Sequence, residues 1–253
     1  MDLPLNTFKR ALHDGSTKVG IFVSAADPAA AELAAVSGFD WLIIDSEHAP
    51  NDLRTMMSQL QATYVYDVGV GVRPYEGDQA LLKRMLDIGA QTVMIPMVDT
   101  AEQAAEVVSF TRYPPQGVRG VASARAARWT AVAGYHAKAN DEICVIAQIE
   151  TQVGLDNLDA IIAVEGVDAV FVGPSDLAAS LGHLGNPKHP DVQSAVLDAI
   201  ARISAAGMPA GVFASTPDAA RLYADAGATL MLVGVDMYVL AKGLAALRDQ
   251  FKD

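Results

Sequence analysis

Residues 41–52 read WLIIDSEHAPND. The run WLIID is short and apolar up to its last position, as in a strand covered on both faces. It breaks directly into a polar turn carrying Asp45, Glu47 and His48, and Asn51 or Asp52 then supplies a capping side chain for a helix. A strand that ends on titratable groups and passes into a helix is one βα unit, and its repetition decides the fold.

Outward from this unit the pattern recurs. VGIFVS starts at Val19, VGVGVR at Val68, TVMIPM at Thr92, ICVIAQIE at Ile143, AVFVG at Ala169, PAGVFA at Pro209 and TLMLVG at Thr229. Asp27-Pro28, Gly77-Asp78 and Thr216-Pro217 mark further helix starts. Strand and helix alternating through 253 residues predict an α/β fold, a (β/α)8 TIM barrel. One barrel domain is expected over residues 1–253. An extra helix from Leu5 to Asp14 would either cap its base or lie on its surface. The run MYVLAKGLAAL, in a C-terminal helix from Val235, is apolar on more than one face and reads as an oligomerisation helix.

Two segments interrupt the rhythm. Residues 112–141 are far longer than a usual helix-to-strand connection. Their arginines (Arg112, Arg119, Arg125, Arg128) and aromatics (Tyr113, Trp129, Tyr135) favour an ordered cover or a subunit contact near the mouth over disorder. GHLGNPKHP at 182–190 is a Gly/Pro-rich loop on the catalytic face of the expected barrel.

The formal charge of -12 argues against a nucleic-acid or anionic-membrane partner and for a small-molecule one. No apolar run is long enough for a membrane span, and the N-terminus lacks a leader pattern. The single cysteine, Cys144, lies within a strand pattern and has no disulfide partner in the chain, which fits a cytoplasmic protein.

In such a barrel the strand ends share one face, so distant residues converge there and an enzyme is expected. Glu150 and Asp176 close neighbouring strands, and paired carboxylates suit an oxygen-liganded cation such as Mg2+ or Mn2+. The plainer reading makes each a helix N-terminal carboxylate. His48 suits a general base, with Asp45 or Glu47 to orient it; as a bland alternative it is a surface histidine. Arg73 closes its strand facing an anion, either a developing oxyanion or a structural partner among Asp45, Glu47 and Glu76. None of Lys9, Lys18, Lys83, Lys138, Lys188, Lys242 and Lys252 closes a strand, so a Schiff-base mechanism lacks its nucleophile. No P-loop or GxGxxG follows a strand, and no organic cofactor is expected.

Taken together, WLIIDSEHAPND, VGVRPYEGD (70–78), MLDIGAQTVMIPMV (85–98), RYPPQGVRG (112–120), AQIET (147–151) and VFVGPSDLAAS (170–180) resemble the 4-hydroxy-2-oxoheptanedioate aldolase family, the metal-dependent class II pyruvate aldolases. The resemblance runs from about Thr7 to the C-terminal helix. It implies a pyruvate-binding barrel, a homohexamer, a divalent cation (Mg2+, Mn2+ or Co2+), and reversible cleavage of 4-hydroxy-2-oxo acids to pyruvate and an aldehyde. By the same resemblance Glu150 and Asp176 are the metal ligands, His48 the base, Asp87 the carboxylate that raises its basicity, and Arg73 the transition-state stabiliser. Gln148, Ser175 and Asp176 contact substrate, with backbone groups around Gly173 and Pro174 receiving the pyruvate carboxylate. Ser175 stands where many relatives carry alanine. The alternatives are a 2-keto-3-deoxy sugar acid aldolase or an oxaloacetate decarboxylase on the same core, or a metabolite-binding barrel without turnover.

Overall fold

Each strand pairs in parallel with its neighbours in sequence, and the eighth returns to the first, closing a barrel in the computed structural model, which describes residues 1–252. The strands are β1 (Lys18–Val23), β2 (Trp41–Asp45), β3 (Gly69–Arg73), β4 (Thr92–Ile95), β5 (Cys144–Ile149), β6 (Ala169–Val172), β7 (Ala210–Phe213) and β8 (Ala228–Val235). All fall on the apolar runs read from the sequence, within a residue or two at their ends.

The helices run α1 (Thr7–Ala11), α2 (Pro28–Val36), α3 (Leu53–Ala62), α4 (Gln79–Asp87), α5 (Ala101–Thr111), α6 (Tyr135–Lys138), α7 (Gln152–Asp156), α8 (Leu158–Ile162), α9 (Pro174–Ser180), α10 (Pro190–Ala205), α11 (Pro217–Asp225) and α12 (Asp236–Asp249). Their starts follow the capping chemistry. Asp27, Asp52, Asp78 and Thr216 accept hydrogen bonds from the first-turn N–H groups of α2, α3, α4 and α11. Asp52, rather than Asn51, caps α3, in a reciprocal pair with Thr55.

Side chains alternate between two cores. Phe22, Trp41, Ile43, Met94, Ile146 and Phe171 fill the barrel interior, whereas Ile44, Val72, Val93, Val145 and Val170 pack outward against α4, α10 and their neighbours. Phe8 of α1 enters the interior from below, stacked on Trp41 with ring centroids 5.2 Å apart. It lies over Gly69, where an added Cβ would fall 2.6 Å from the Cβ of Phe8. Asn6 caps α1 and also donates to the Gln91 and Glu142 carbonyls and to Thr92 Oγ1, which ties the helix under the base.

Residues 112–141 are ordered around Tyr113, Ala126, Val132 and Tyr135. Because they leave the end of α5 and enter the start of β5, both ends of this segment lie at the base of the barrel. Its turn near Val118 climbs toward the mouth, where the Val118 carbonyl stands 3.5 Å from the amide of Gln79 in the first turn of α4.

The register of β2 on β3 pairs Asp45 with Arg73. This places an acid and a base side by side at the mouth, and the site is built around them.

Candidate active site

The mouth encloses a cleft of about 560 Å³. Asp45 closes β2 and His48 follows it, Arg73 closes β3, Gln148 and Glu150 come from the end of β5, and Gly173, Pro174, Ser175 and Asp176 span the junction of β6 with α9. The opposite wall is apolar, with Phe22, Phe213, Val235, Met237 and Tyr238.

Arg73 is buried and held on all sides. Its Nε and Nη2 donate to the two carboxylate oxygens of Asp45 at 2.9 and 2.8 Å, a bidentate pair, and Nη1 reaches Gln148 Oε1 at 3.4 Å. Its guanidinium carbon lies 4.3 Å from the ring centre of Phe22. Nη1 also stands 3.1 Å from Glu47 Oε2, a charge contact without hydrogen-bond alignment. Burial pushes the Glu47 carboxyl up to about 7, against the pull of Arg73 and with a further push from Glu150. Arg73 thus has a structural partner in Asp45 and still lines the cleft.

Both Asp45 oxygens are committed to Arg73. Of the two carboxylates expected to orient His48, only Glu47 is near it, with Oε1 3.7 Å from His48 Nε2. The imidazole is 62% exposed at the rim, a position open to substrate and water.

Glu150 is buried, and its direct partners are neutral. The Met97 N–H donates to Oε1 at 2.9 Å, and the Gln148 amide donates to Oε2. Met97 takes a left-handed φ of 55°, unusual for a side-chain-bearing residue, in the loop that presents this N–H. Gly173 leaves room for the carboxylate, since a Cβ there would lie 2.5 Å from Glu150 Oε2. Burial raises the Glu150 pKa, and the nearby Asp176 charge adds to the rise. Neither acid is a helix cap, although Asp176 does sit at a helix N-terminus. Thr151 caps α7, and Gly173 occupies the cap position of α9 with Asp176 in its first turn. A buried carboxylate without a side-chain cation bonded to it, and a second acid in the same cleft, form an oxygen donor set that fits a hard divalent cation.

The Gly173 N–H is already bonded to the Ile149 carbonyl at 3.0 Å, and Pro174 has none. Leu177 makes the first bond back into α9, to Gly173 O at 3.1 Å, so the donors left facing the cleft are the Ser175 and Asp176 N–H groups.

Asp87 departs from the expected arrangement. It lies in the last turn of α4, which runs down to the base before β4, and its carboxylate stands 3.4 Å from Arg119. His48 is at the mouth, across the full height of the barrel. Within one chain Asp87 therefore cannot hold this imidazole.

Sequence reading did not pick out Phe22, Phe213, Met237 or Tyr238. Within an apolar strand or helix run, a residue that walls a cleft has the same signature as one in the core. Nor did it anticipate the backbone role of Met97, which leaves no side-chain signal.

Residues 18–242 match the family model described as HpcH/HpaI aldolase/citrate lyase. The chain is 52% identical over its whole length to a hydroxypyruvate/pyruvate aldolase from Pseudomonas aeruginosa, covering 95% of that protein. It is 48% identical to a 4-hydroxy-2-oxovalerate aldolase from Rhodococcus jostii, with 99% of this chain and 98% of that one aligned. Its fold superposes with a TM-score of 0.92 on the crystal structure of an HpcH/HpaI aldolase/citrate lyase family protein from Burkholderia cenocepacia, 41% identical, covering 98% of this chain and all of that one.

Proposed function

The chain belongs to the HpcH/HpaI aldolase/citrate lyase family, and on that premise we propose that it is a metal-dependent aldolase that reversibly cleaves 4-hydroxy-2-oxo acids to pyruvate and an aldehyde. The observation that carries this reading is the convergence of Glu150, Asp176, Arg73 and His48 on one cleft whose wall includes no lysine among the described residues.

Glu150 and Asp176 would hold the cation, which when bound supplies Lewis acidity to the 2-oxo group of the substrate. The Ser175 and Asp176 N–H groups would receive the substrate carboxylate. In the cleavage direction His48, directly or through a water, takes the proton of the C4 hydroxyl as the C3–C4 bond breaks; the electron pair of that bond passes to pyruvate as its enolate. Arg73, fixed by Asp45, bears on the oxyanion that develops. Protonation of the enolate carbon completes pyruvate, and the apolar wall gives the aldehyde half a surface to leave along.

Exhaustive chelation is expected to abolish pyruvate release, and Mg2+, Mn2+ or Co2+ to restore it. Full turnover by protein that metal analysis shows to be stripped would refute the metal dependence. Borohydride added with pyruvate is expected to leave the activity intact and to add no mass to any lysine.

We further propose a homohexamer. In support, α12 has no buried residue, with Tyr238, Leu244 and Leu247 exposed at 68%, 57% and 54%, and Val118, Val121 and Trp129 of the 112–141 segment are exposed as well. In an assembly Asp87 would meet His48 only across a subunit boundary. Sedimentation should give an oligomer, and Leu244→Glu with Leu247→Glu should lower its mass. A fully active monomer at assay concentration would sink this idea. No helix among the described residues is long and apolar enough to cross a membrane, and the buried, unpaired Cys144 supports a reducing cytoplasmic setting.

A further inference from the structure

We propose a second metal site outside the cleft, in the loop joining α9 to α10, where His183, His189 and Asp191 would bind a borderline cation of the zinc type. The sequence HLGNPKHPD brings together three side chains that the aldolase chemistry does not use. Their ligand atoms all lie within 4.8 Å of one another. His183 Nε2 stands 3.6 Å and His189 Nδ1 3.7 Å from the same oxygen of Asp191. The two rings stack with centroids 3.6 Å apart and planes at 13°.

The donor set selects the ion. Two imidazoles and one carboxylate suit Zn2+, Ni2+ or Cu2+, whereas Mg2+ prefers an all-oxygen shell. Zinc–ligand bonds of about 2.0–2.1 Å in a tetrahedral site put neighbouring ligand atoms roughly 3.3 Å apart. The two nitrogen–oxygen separations need to close by a few tenths of an ångström, and because each imidazole lone pair lies in its own ring plane, the two rings must swing out of their stack to point at one ion.

The backbone already brings the three side chains together. Gly182 and Gly185 take left-handed φ values of 82° and 76°, and the Asn186 and His189 N–H groups bond back to the His183 and Asn186 carbonyls at 2.9 and 3.0 Å. Two features besides the ring stack oppose the ion. The start of α10 carries the positive end of its dipole, which the Asp191 carboxylate offsets. His189 Nδ1 also accepts the Asp191 N–H, at a long 3.3 Å, and the metal would replace that bond. One coordination position would remain for water. The site would act as a clip, fastening the loop that follows Ser175 and Asp176 to the head of α10.

Equilibrium dialysis of full-length protein against Zn2+ with excess Mg2+ tests this. The variant Glu150→Gln with Asp176→Asn, which lacks the ligands of the cleft, is expected to retain one zinc per chain. Adding His183→Ala, or His189→Asn, which keeps a capping side chain on α10, should remove it. If the cleft variant does not fold, wild-type protein with Mg2+ and pyruvate filling the cleft takes its place, compared with His183→Ala in the same buffer. Loss of the zinc in the histidine variants supports the site. Absence of retained zinc, or its retention unchanged in both histidine variants, overturns it. The outcome is independent of the aldolase assay.

Discussion

Glu150→Gln is expected to lower turnover on the order of 10³-fold or more while leaving the fold intact. The substitution keeps the shape of the side chain and an oxygen able to accept the Met97 N–H, but it replaces the oxygen that accepts from Gln148 with an amide N–H2, so Gln148 must turn its own oxygen inward and give up its contact with Arg73. The carboxylate charge it removes is what a divalent cation would bind, and Lewis-acid stabilisation is worth several kcal/mol, with each ~1.4 kcal/mol equal to tenfold in rate. Stability should change little. Burial already raises the Glu150 pKa, so the neutral amide relieves a desolvation cost that offsets the disturbed Gln148 contacts, and the melting temperature should stay close to that of the wild type. Rate, metal content and melting curve are measured together. A variant that turns over within tenfold of wild type, with its metal retained, would remove Glu150 from the ligand set.

The second large effect is expected at Arg73. Arg73→Lys retains a positive charge but loses the planar fork that grips both oxygens of Asp45. A lysine cannot keep that bidentate grip and face the reacting oxygen together. The loss should be about 2–4 kcal/mol of transition-state stabilisation, the scale of an oxyanion donor, read in kcat/KM, with pyruvate binding largely kept. Arg73→Met adds a pH signature. Burial holds Glu47 at about 7 against the pull of Arg73, so removing the cation should raise that value and shift any limb of the pH–rate profile governed by Glu47 to higher pH. An unchanged profile would show that Glu47 does not govern the rate.

The barrel was legible because each strand is a compact apolar run that stops on a polar turn, as WLIID does at Asp45, and because Asp27, Asp78 and Thr216 mark helix starts by local chemistry alone. The gathering of Arg73, Glu150 and Asp176 on one face followed from the rule that strand ends share a face. What the sequence could not convey was which acid serves which base. Asp45 and Glu47 are two residues apart, and only the β2–β3 register assigns the first to Arg73. Asp87 shows the limit of resemblance by motif. Its place in MLDIG is clear, but the direction in which α4 runs carries it to the far end of the barrel. The apolar wall was hidden because a side chain facing a cleft and one facing a core are chosen from the same residues.

If the chain assembles as proposed, the bare face of α12 divides its formation into two kinds of event. The barrel can close within a single chain, at a rate independent of how many chains are present. Covering Tyr238, Leu244 and Leu247 would take a second chain, so its rate would rise with concentration. Between the two, a completed barrel would carry a bare apolar helix for a time that shortens as the concentration of chains rises.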